Sequence, residues 1–269
     1  MKWAYPYATP ETRLPILGFR GSPDEVFSDL KRLGYDGIEA FVRNPGEIDI
    51  ALLERQLSRC GLQMAAVGTG PVVSEDKLTF AAESAEARKA AVWRALQIVE
   101  FASHFGAPVA IGKLRGDINE GQPERSMGWI REALEQVCAR ADKRGIQVLL
   151  EPQNKSVINN LNGTRETVRF IRDLQIPNLK LMLDIYHMDT EDGSTVKGFA
   201  EGKGLLRYIH AADHDRLPPG QGGMDFGFIM RELHAADYTG YITPEIVQKP
   251  DSFTAAKLSV DFLRSLVPA

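Results

Sequence analysis

Three carboxylates and one imidazole stand at the ends of four apolar segments in the second half of the chain. Glu151 closes IQVLLE and Asp184 closes LKLMLD, while His210 lies near the end of LRYIHA and Glu245 near the end of YITPEI. Taken singly, such a glutamate is typical of a solvated strand end and such a histidine of a hydrogen-bonded core residue. Taken together, oxygen ligands with one imidazole and no thiolate suit a divalent ion such as Mn²⁺, Mg²⁺ or Co²⁺. Without a cation, clustered carboxylates would repel one another and their pKa values would rise.

The elements that would position these residues alternate between short apolar runs and amphipathic segments. Each apolar run is too short for a helix and has the continuous hydrophobic character of a strand covered on both faces. Four of the helical segments end at Gly34, Gly61, Gly106 and Gly145, as left-handed helix caps do. The predicted strands are 2–5, 37–42, 63–68, 108–112, 146–151, 179–184, 206–211 and 241–246, and the predicted helices include 23–34, 48–61, 83–106, 123–145 and 164–174.

Eight strand-then-helix units predict an α/β fold, a single (β/α)8 TIM barrel that forms one catalytic domain over residues 1–269. A doubly wound open sheet would place a Gly-rich turn after its first strand, and here that strand is followed by Pro6 with no GxGxxG. Active sites of such barrels lie at the carboxyl ends of the strands. The four metal-competent residues are therefore expected at one mouth of the barrel.

Composition excludes several other classes of protein. The chain has 269 residues, a net charge of -4 and two cysteines, which argues against a disulfide scaffold and against a basic nucleic-acid-binding surface. The N-terminal segment has no apolar signal region, and no apolar run is long enough to span a membrane. We therefore expect a cytoplasmic enzyme with no membrane or nucleic-acid partner.

Several segments of the chain resemble a known family. LLEPQN, LMLDIYHM, IHAADHDRLPPGQGGMDF and GYITPEI are similar to the sugar isomerase/epimerase superfamily of xylose-isomerase-like barrels, particularly its ketose 3-epimerases such as D-tagatose 3-epimerase. The resemblance implies that Glu151, Asp184, His210 and Glu245 bind one divalent metal ion, with Mn²⁺ expected and Mg²⁺ or Co²⁺ as alternatives. It also implies that Glu151 and Glu245 are the catalytic acid/base pair. A proton next to the ketose carbonyl would then move through a cis-enediolate.

The resemblance extends to residues that would contact the substrate, a small sugar or keto-polyol. His187 matches a histidine that hydrogen-bonds the substrate near its carbonyl, and Arg216 matches an arginine that holds a substrate hydroxyl. Asn154 matches the asparagine that follows the strand-five glutamate. Glu39, placed at the end of strand two, is a candidate for the substrate or for the shell around the metal, and Arg115 in GKLRG for a phosphate or a sugar hydroxyl. Relatives assemble as homodimers or homotetramers, so self-association is expected from the resemblance.

One departure from the family bears on the substrate. Ketose 3-epimerases commonly carry an Asn-Arg-aromatic-Glu run after the strand-five glutamate, and here Lys155 replaces the arginine and Val157 the second glutamate. The loss of a carboxylate beside the substrate disfavours a free ketohexose.

Four alternative functions are compatible with parts of the pattern. EPxN and DIYHM are similar to hydroxypyruvate isomerase-like members, and an inosose dehydratase-like lyase would use the same proton abstraction followed by loss of water. A nuclease similar to endonuclease IV needs three zinc ions and more histidines than the five present. A silent sugar-binding protein is disfavoured by the complete ligand set.

Overall fold

The eight predicted strands form a closed parallel barrel in the order β1 to β8, in the computed structural model, which describes residues 1–267. This confirms the predicted (β/α)8 architecture. The strands are β1 (Lys2–Ala8), β2 (Gly37–Phe41), β3 (Gln63–Gly68), β4 (Val109–Ile111), β5 (Val148–Leu150), β6 (Leu179–Asp184), β7 (Leu206–His210) and β8 (Tyr241–Thr243).

Helices cover the outside of the barrel. They are α1 (Pro23–Leu33), α2 (Ile50–Cys60), α3 (Gly70–Asp76), α4 (Ala85–His104), α5 (Pro123–Lys143), α6 (Thr164–Leu174), α7 (Ile185–Glu191), α8 (Thr195–Glu201), α9 (Phe226–Ala235) and α10 (Ser252–Ser265). The four glycines expected at helix ends all have positive φ. Phe105 and Arg144 are the C-cap residues of α4 and α5, and Gly106 and Gly145 each follow one residue later.

The first strand is longer than predicted, since β1 continues through Pro6 to Ala8. Proline lacks the N–H that a strand between two partners needs. Here β1 pairs with β8 only at Lys2 and Trp3, so Pro6 lies where only β2 is paired, opposite Glu39. The amide that proline lacks is therefore not needed for the β8 ladder.

The barrel interior is filled in layers by alternate residues of each strand. One buried cluster combines alanines with larger side chains of the later strands, namely Ala4, Ala65, Ala66, Ala110, Leu149, Met182 and Tyr208. The Tyr208 hydroxyl and Thr243 Oγ1 lie 2.6 Å apart within it. This layer forms a floor, and two positions further along the chain from Leu149, Met182 and Tyr208 are Glu151, Asp184 and His210.

Both cysteines are free, with Cys138 buried and Cys60 half-buried. No helix among residues 1–267 is long and apolar enough to cross a membrane.

Candidate active site and metal centre

The strand alternation brings the four predicted ligands to the carboxyl end of the barrel. Asp184 and His210 are the last residues of β6 and β7 and pair with each other in the sheet. Glu151 directly follows β5, and Glu245 lies two residues beyond β8. Gly68 ends β3 and Gly112 follows β4. A Cβ at Gly68 would lie 2.5 Å from the Phe41 ring and one at Gly112 would lie 2.6 Å from Glu151 Oε2, so both glycines make room for side chains that line the site.

The His210 imidazole lies at the centre of the cluster. Its Nε2 donates a 2.6 Å hydrogen bond to Glu39 Oε2, since a carboxylate can only accept. Its Nδ1 faces the opposite way, 3.7 Å from Glu151 Oε1 and 3.6 Å from Glu245 Oε2. Glutamates from β5 and β8 thus approach the same ring nitrogen.

Glu39 differs from its sequence-based placement. It lies in the middle of β2, not at its end, and is fully buried. Its Oε2 contacts His210. Glu39 also lines the pocket, so its position is compatible with both roles considered for it, contact with the substrate and support of a metal ligand.

Arg216 contacts Asp184, Glu245 and His187 on the other side of the cluster. Its Nη1 lies 2.5 Å from Asp184 Oδ2 and 3.1 Å from Glu245 Oε2. Its Nη2 donates to His187 Nε2 at 3.0 Å, and the guanidinium stacks over the Tyr186 ring at 4.3 Å. His187 and Arg216 therefore act as one unit at the edge of the carboxylates.

The backbone at Arg216 is held in an unusual conformation. Asp215 and Arg216 have φ values of 56° and 58°, in the left-handed region that non-glycine residues rarely adopt. The segment is fixed by Asp213, a fully buried carboxylate that accepts hydrogen bonds from the amides of His214, Gly220 and Met224. Sequence reasoning missed Asp213, although it stands three residues after His210 in IHAADHDRLPPGQGGMDF, just before a Gly-rich turn.

The donor set fits a divalent cation. The buried atoms Glu151 Oε1 and His210 Nδ1 have no hydrogen-bond partner among residues 1–267, and they face each other. Two triads have ligand atoms within 4.8 Å of one another: Glu151, Asp184 and His187, and Asp184, His210 and Glu245. Carboxylates with imidazole suit Mn²⁺, Mg²⁺ or Co²⁺. The four predicted ligands are divided between the two triads, and one triad contains His187, which the resemblance assigns to the substrate.

The electrostatics of the cluster are dominated by negative charge in a buried space. Burial, reinforced by Glu151 and Asp184, raises the pKa of Glu245 to about 7 despite His210 and Arg216. Burial disfavours the charged form of His210, but the carboxylates of Glu39 and Glu245 raise its pKa well above the ordinary value. Burial also opposes ionisation of Asp184, and Arg216 with both histidines holds the pKa of that carboxyl below its usual range. Carboxylates clustered in this way are stabilised by positive charge placed between them.

The pocket above this cluster has a volume of about 340 Å³, within the range of small-ligand sites. Its polar wall includes the two histidines, Arg216 and Gln153. Its apolar wall is formed by Ile16, Leu17, Phe41, Pro71 and Val157. Val157, the departure from the family run, thus lies in the pocket lining.

Two predicted substrate residues lie outside this lining. Asn154 Oδ1 accepts from the amide and hydroxyl of Ser156 and so shapes the loop after β5. Arg115 is fully buried, and burial lowers its pKa to about 10.

The Arg115 guanidinium donates all of its N–H groups to the protein. Its acceptors are Asn160 Oδ1 and the carbonyls of Gly112, Glu151, Asn160 and Leu161. The structure therefore places it as a buried connection between β4 and β5, with no donor directed at a ligand.

Fold and site together define the class of this chain. Residues 27–266 match the xylose isomerase-like TIM barrel family, and the chain belongs to that family. It is 31% identical over 219 residues to the L-ribulose 3-epimerase of Methylomonas sp. (strain DH-1), covering 80% of this chain and 74% of that protein. It is 27% identical over 258 residues to the 3-dehydro-D-guloside 4-epimerase of Escherichia coli (strain K12), covering 90% and 94%.

A solved structure shares the fold over its whole length. The D-psicose 3-epimerase of Clostridium cellulolyticum H10, solved with D-tagatose, superposes with a TM-score of 0.84 at 19% identity and covers 100% of both chains. The comparisons confirm the resemblance to ketose 3-epimerases that the strand-end motifs predicted.

Proposed function

We propose that this chain is a divalent-metal-dependent sugar epimerase that moves a proton on the carbon next to a ketone. The observation that carries the proposal is the approach of Glu151 and Glu245, from β5 and β8, to one ring nitrogen of His210 at 3.7 and 3.6 Å. Two carboxylates on different sides of one pocket can reach opposite faces of a bound carbon. The L-ribulose 3-epimerase and 3-dehydro-D-guloside 4-epimerase relatives agree with this class of reaction.

Glu151 and Glu245 perform the proton transfer. One carboxylate removes the proton next to the carbonyl and the other returns a proton to the opposite face, which inverts that carbon. A divalent ion held by Glu151, Asp184, His210 and Glu245, Mn²⁺ above all, would draw electron density from the ketone and the neighbouring hydroxyl and so acidify the C–H between them. Without a metal ion, burial raises the pKa of Glu245 to about 7, and a divalent cation bound beside it would lower that pKa.

His187 and Arg216 orient the substrate beside these carboxylates. Arg216 lies between Asp184 and Glu245 and donates to His187, so both side chains are fixed before a ligand arrives. Positioned donors of this kind stabilise the oxygen on which negative charge develops.

A second candidate is epimerisation at C4 of a 3-keto sugar carried in a glycoside. The match to the 3-dehydro-D-guloside 4-epimerase covers 90% of this chain and 94% of that protein, more of each than the match to the L-ribulose 3-epimerase. The apolar wall that includes Val157 and Pro71 also suits a substituent less polar than a sugar hydroxyl. The chemistry at the reacting carbon is the same.

Deuterium exchange tests the proposal and separates the candidates. Mn²⁺-loaded protein is incubated in D₂O with L-ribulose, D-allulose, a methyl 3-dehydro-glycoside and keto-polyols, and the products are examined by NMR and mass spectrometry. Deuterium at the carbon next to the carbonyl, with an epimer as product, is expected. Loss of water from a keto-polyol would instead indicate a dehydratase, and no incorporation into any substrate by metal-bound protein would overturn the proton-transfer mechanism.

Glu245→Gln tests the role of one carboxylate. The amide keeps the shape of the side chain but cannot take up a proton, so exchange should fall by at least about 10²-fold while the circular dichroism spectrum is unchanged. The matched control is Glu135→Gln, at an exposed position of α5, which should exchange at the wild-type rate. Retained exchange in Glu245→Gln would remove that residue from the mechanism.

A further inference from the structure

Gln153 is a buried polar side chain of the pocket that neither the sequence motifs nor the mechanism above uses. It is 9% exposed and lines the pocket two residues after Glu151. Its Nε2 donates a 2.8 Å hydrogen bond to Glu151 Oε2. Its Oε1 is buried and has no hydrogen-bond partner within the described residues 1–267.

The surroundings hold this amide in place. Pro152 fixes the backbone before it, and Asn162 Nδ2 donates to the Gln153 carbonyl at 2.7 Å. Beside it, after the neighbouring strand β4, a Cβ on Gly112 would lie 2.7 Å from Gln153 Nε2 and 2.6 Å from Glu151 Oε2. The absence of a side chain at Gly112 therefore makes room for the amide–carboxylate pair.

The two ends of the amide face different partners. Because the amide nitrogen holds Glu151 Oε2, the other oxygen, Oε1, is the one that faces His210. The amide oxygen is left as an unpaired acceptor in a buried position, where an acceptor without a donor is unfavourable. A ligand that brings a hydroxyl to this point would satisfy it.

We propose that Gln153 is a positioning and specificity-determining residue: its amide nitrogen orients the Glu151 carboxylate, and its amide oxygen accepts a hydrogen bond from a substrate hydroxyl beside the reacting carbon. The inference rests on the proposed function and adds to it the chemistry of one substrate position. A carbonyl oxygen attracts a neutral O–H donor and repels an anion. The substrate therefore carries a hydroxyl, and not a phosphate or carboxylate, at the position next to Gln153.

Two variants separate the two ends of the amide. Gln153→Leu removes both the donor and the acceptor at nearly constant size, whereas Gln153→Glu keeps an oxygen toward the pocket and replaces the amide donor beside Glu151 with a second carboxyl group. Gln153→Met serves as the apolar variant if the leucine form does not fold. Gln136→Leu, at an exposed position of α5, is the matched control.

The probes are D-allulose and L-ribulose for turnover, and ribitol, the reduced form of ribulose, for binding without reaction. With Mn²⁺-loaded protein, Gln153→Leu should lower kcat about tenfold and raise both KM and the ribitol Kd about tenfold, as the loss of one hydrogen bond at each end predicts. Gln153→Glu should lower kcat with a smaller change in KM. Gln136→Leu should match the wild type in all three constants.

Each outcome bears on one end of the amide. An unchanged KM and ribitol Kd in folded Gln153→Leu would overturn the substrate contact, and an unchanged kcat would overturn the positioning of Glu151. If the wild type incorporates deuterium into none of the sugars tested, the proposed function fails. The ribitol affinities of the wild type and Gln153→Leu, which need no turnover, then still decide the substrate contact.

Discussion

At the residue scale, the site depends on one buried pair, Glu39 and His210. The carboxylate fixes which nitrogen keeps its proton when the imidazole is neutral, because Nε2 donates to Glu39 and Nδ1 is left facing Glu151 and Glu245. A metal-binding histidine whose other nitrogen donates to a carboxylate is held in one tautomer and one orientation. Glu39 therefore holds the His210 ring in the orientation in which Nδ1 faces Glu151 and Glu245.

Glu39→Gln should weaken metal binding without removing a ligand. The amide can present its nitrogen toward His210 or accept a weaker neutral hydrogen bond, so the imidazole is less firmly oriented, and Mn²⁺ affinity should fall about 10–100-fold. Isothermal titration with Mn²⁺ measures this, and the rise in Tm on adding Mn²⁺ gives an independent readout. Glu135→Gln, at an exposed position, is the control. If Glu39→Gln binds Mn²⁺ as tightly as Glu135→Gln does, Glu39 does not support the site.

At the element scale, the loop after β7 is what delivers Arg216. Asp213 accepts three backbone hydrogen bonds from residues up to Met224, and a Cβ at Gly222 would lie 2.6 Å from Asp213 Oδ1. The loop thus closes around a buried carboxylate. This closure maintains two successive left-handed residues, which would otherwise relax to a common conformation.

Asp213→Ala should release this loop. Removal of the shared acceptor leaves three amides without their partner, so we expect a loss of about 2 kcal/mol in the free energy of unfolding and at least a tenfold fall in kcat/KM as Arg216 loses its position. Urea unfolding and steady-state kinetics measure the two effects. The control is Asp215→Asn at an exposed position, because asparagine also tolerates the left-handed conformation. It should change neither the free energy of unfolding nor kcat/KM. Wild-type kinetics in Asp213→Ala would refute the positioning role.

At the scale of the whole molecule, the polar residues of the candidate site lie directly above a layer of buried side chains inside the barrel. Large side chains on β5 to β7 fill the floor, and polar residues two positions further on form the site. Arg115 joins the loops after β4 and β5 beneath the mouth through five hydrogen bonds. Its contribution is therefore to the stability of the barrel as a unit.

Arg115→Met tests this against the substrate-binding role that the GKLRG motif suggested. Methionine fills similar space but leaves buried carbonyls unpaired, so the free energy of unfolding should drop by about 3 kcal/mol or more, equivalent to a Tm lower by about 6–12 °C. Calorimetry measures the shift, with Arg169→Met on the exposed face of α6 as control. A raised KM with unchanged Tm would instead assign Arg115 to the substrate.

The sequence alone predicted the barrel and placed Glu151, Asp184, His210 and Glu245 at the ends of its strands, because strand alternation is a local property. Residues two apart on one strand share a face, so Glu151, Asp184 and His210 had to lie above Leu149, Met182 and Tyr208. Only the tertiary structure decided how these side chains are paired. Glu39 and His210 are 171 residues apart, Gln153 turns back to Glu151, and Arg115 turns away from the pocket. Each of these pairings depends on contacts across the closed barrel and on loop geometry, and residue spacing along one strand does not predict either.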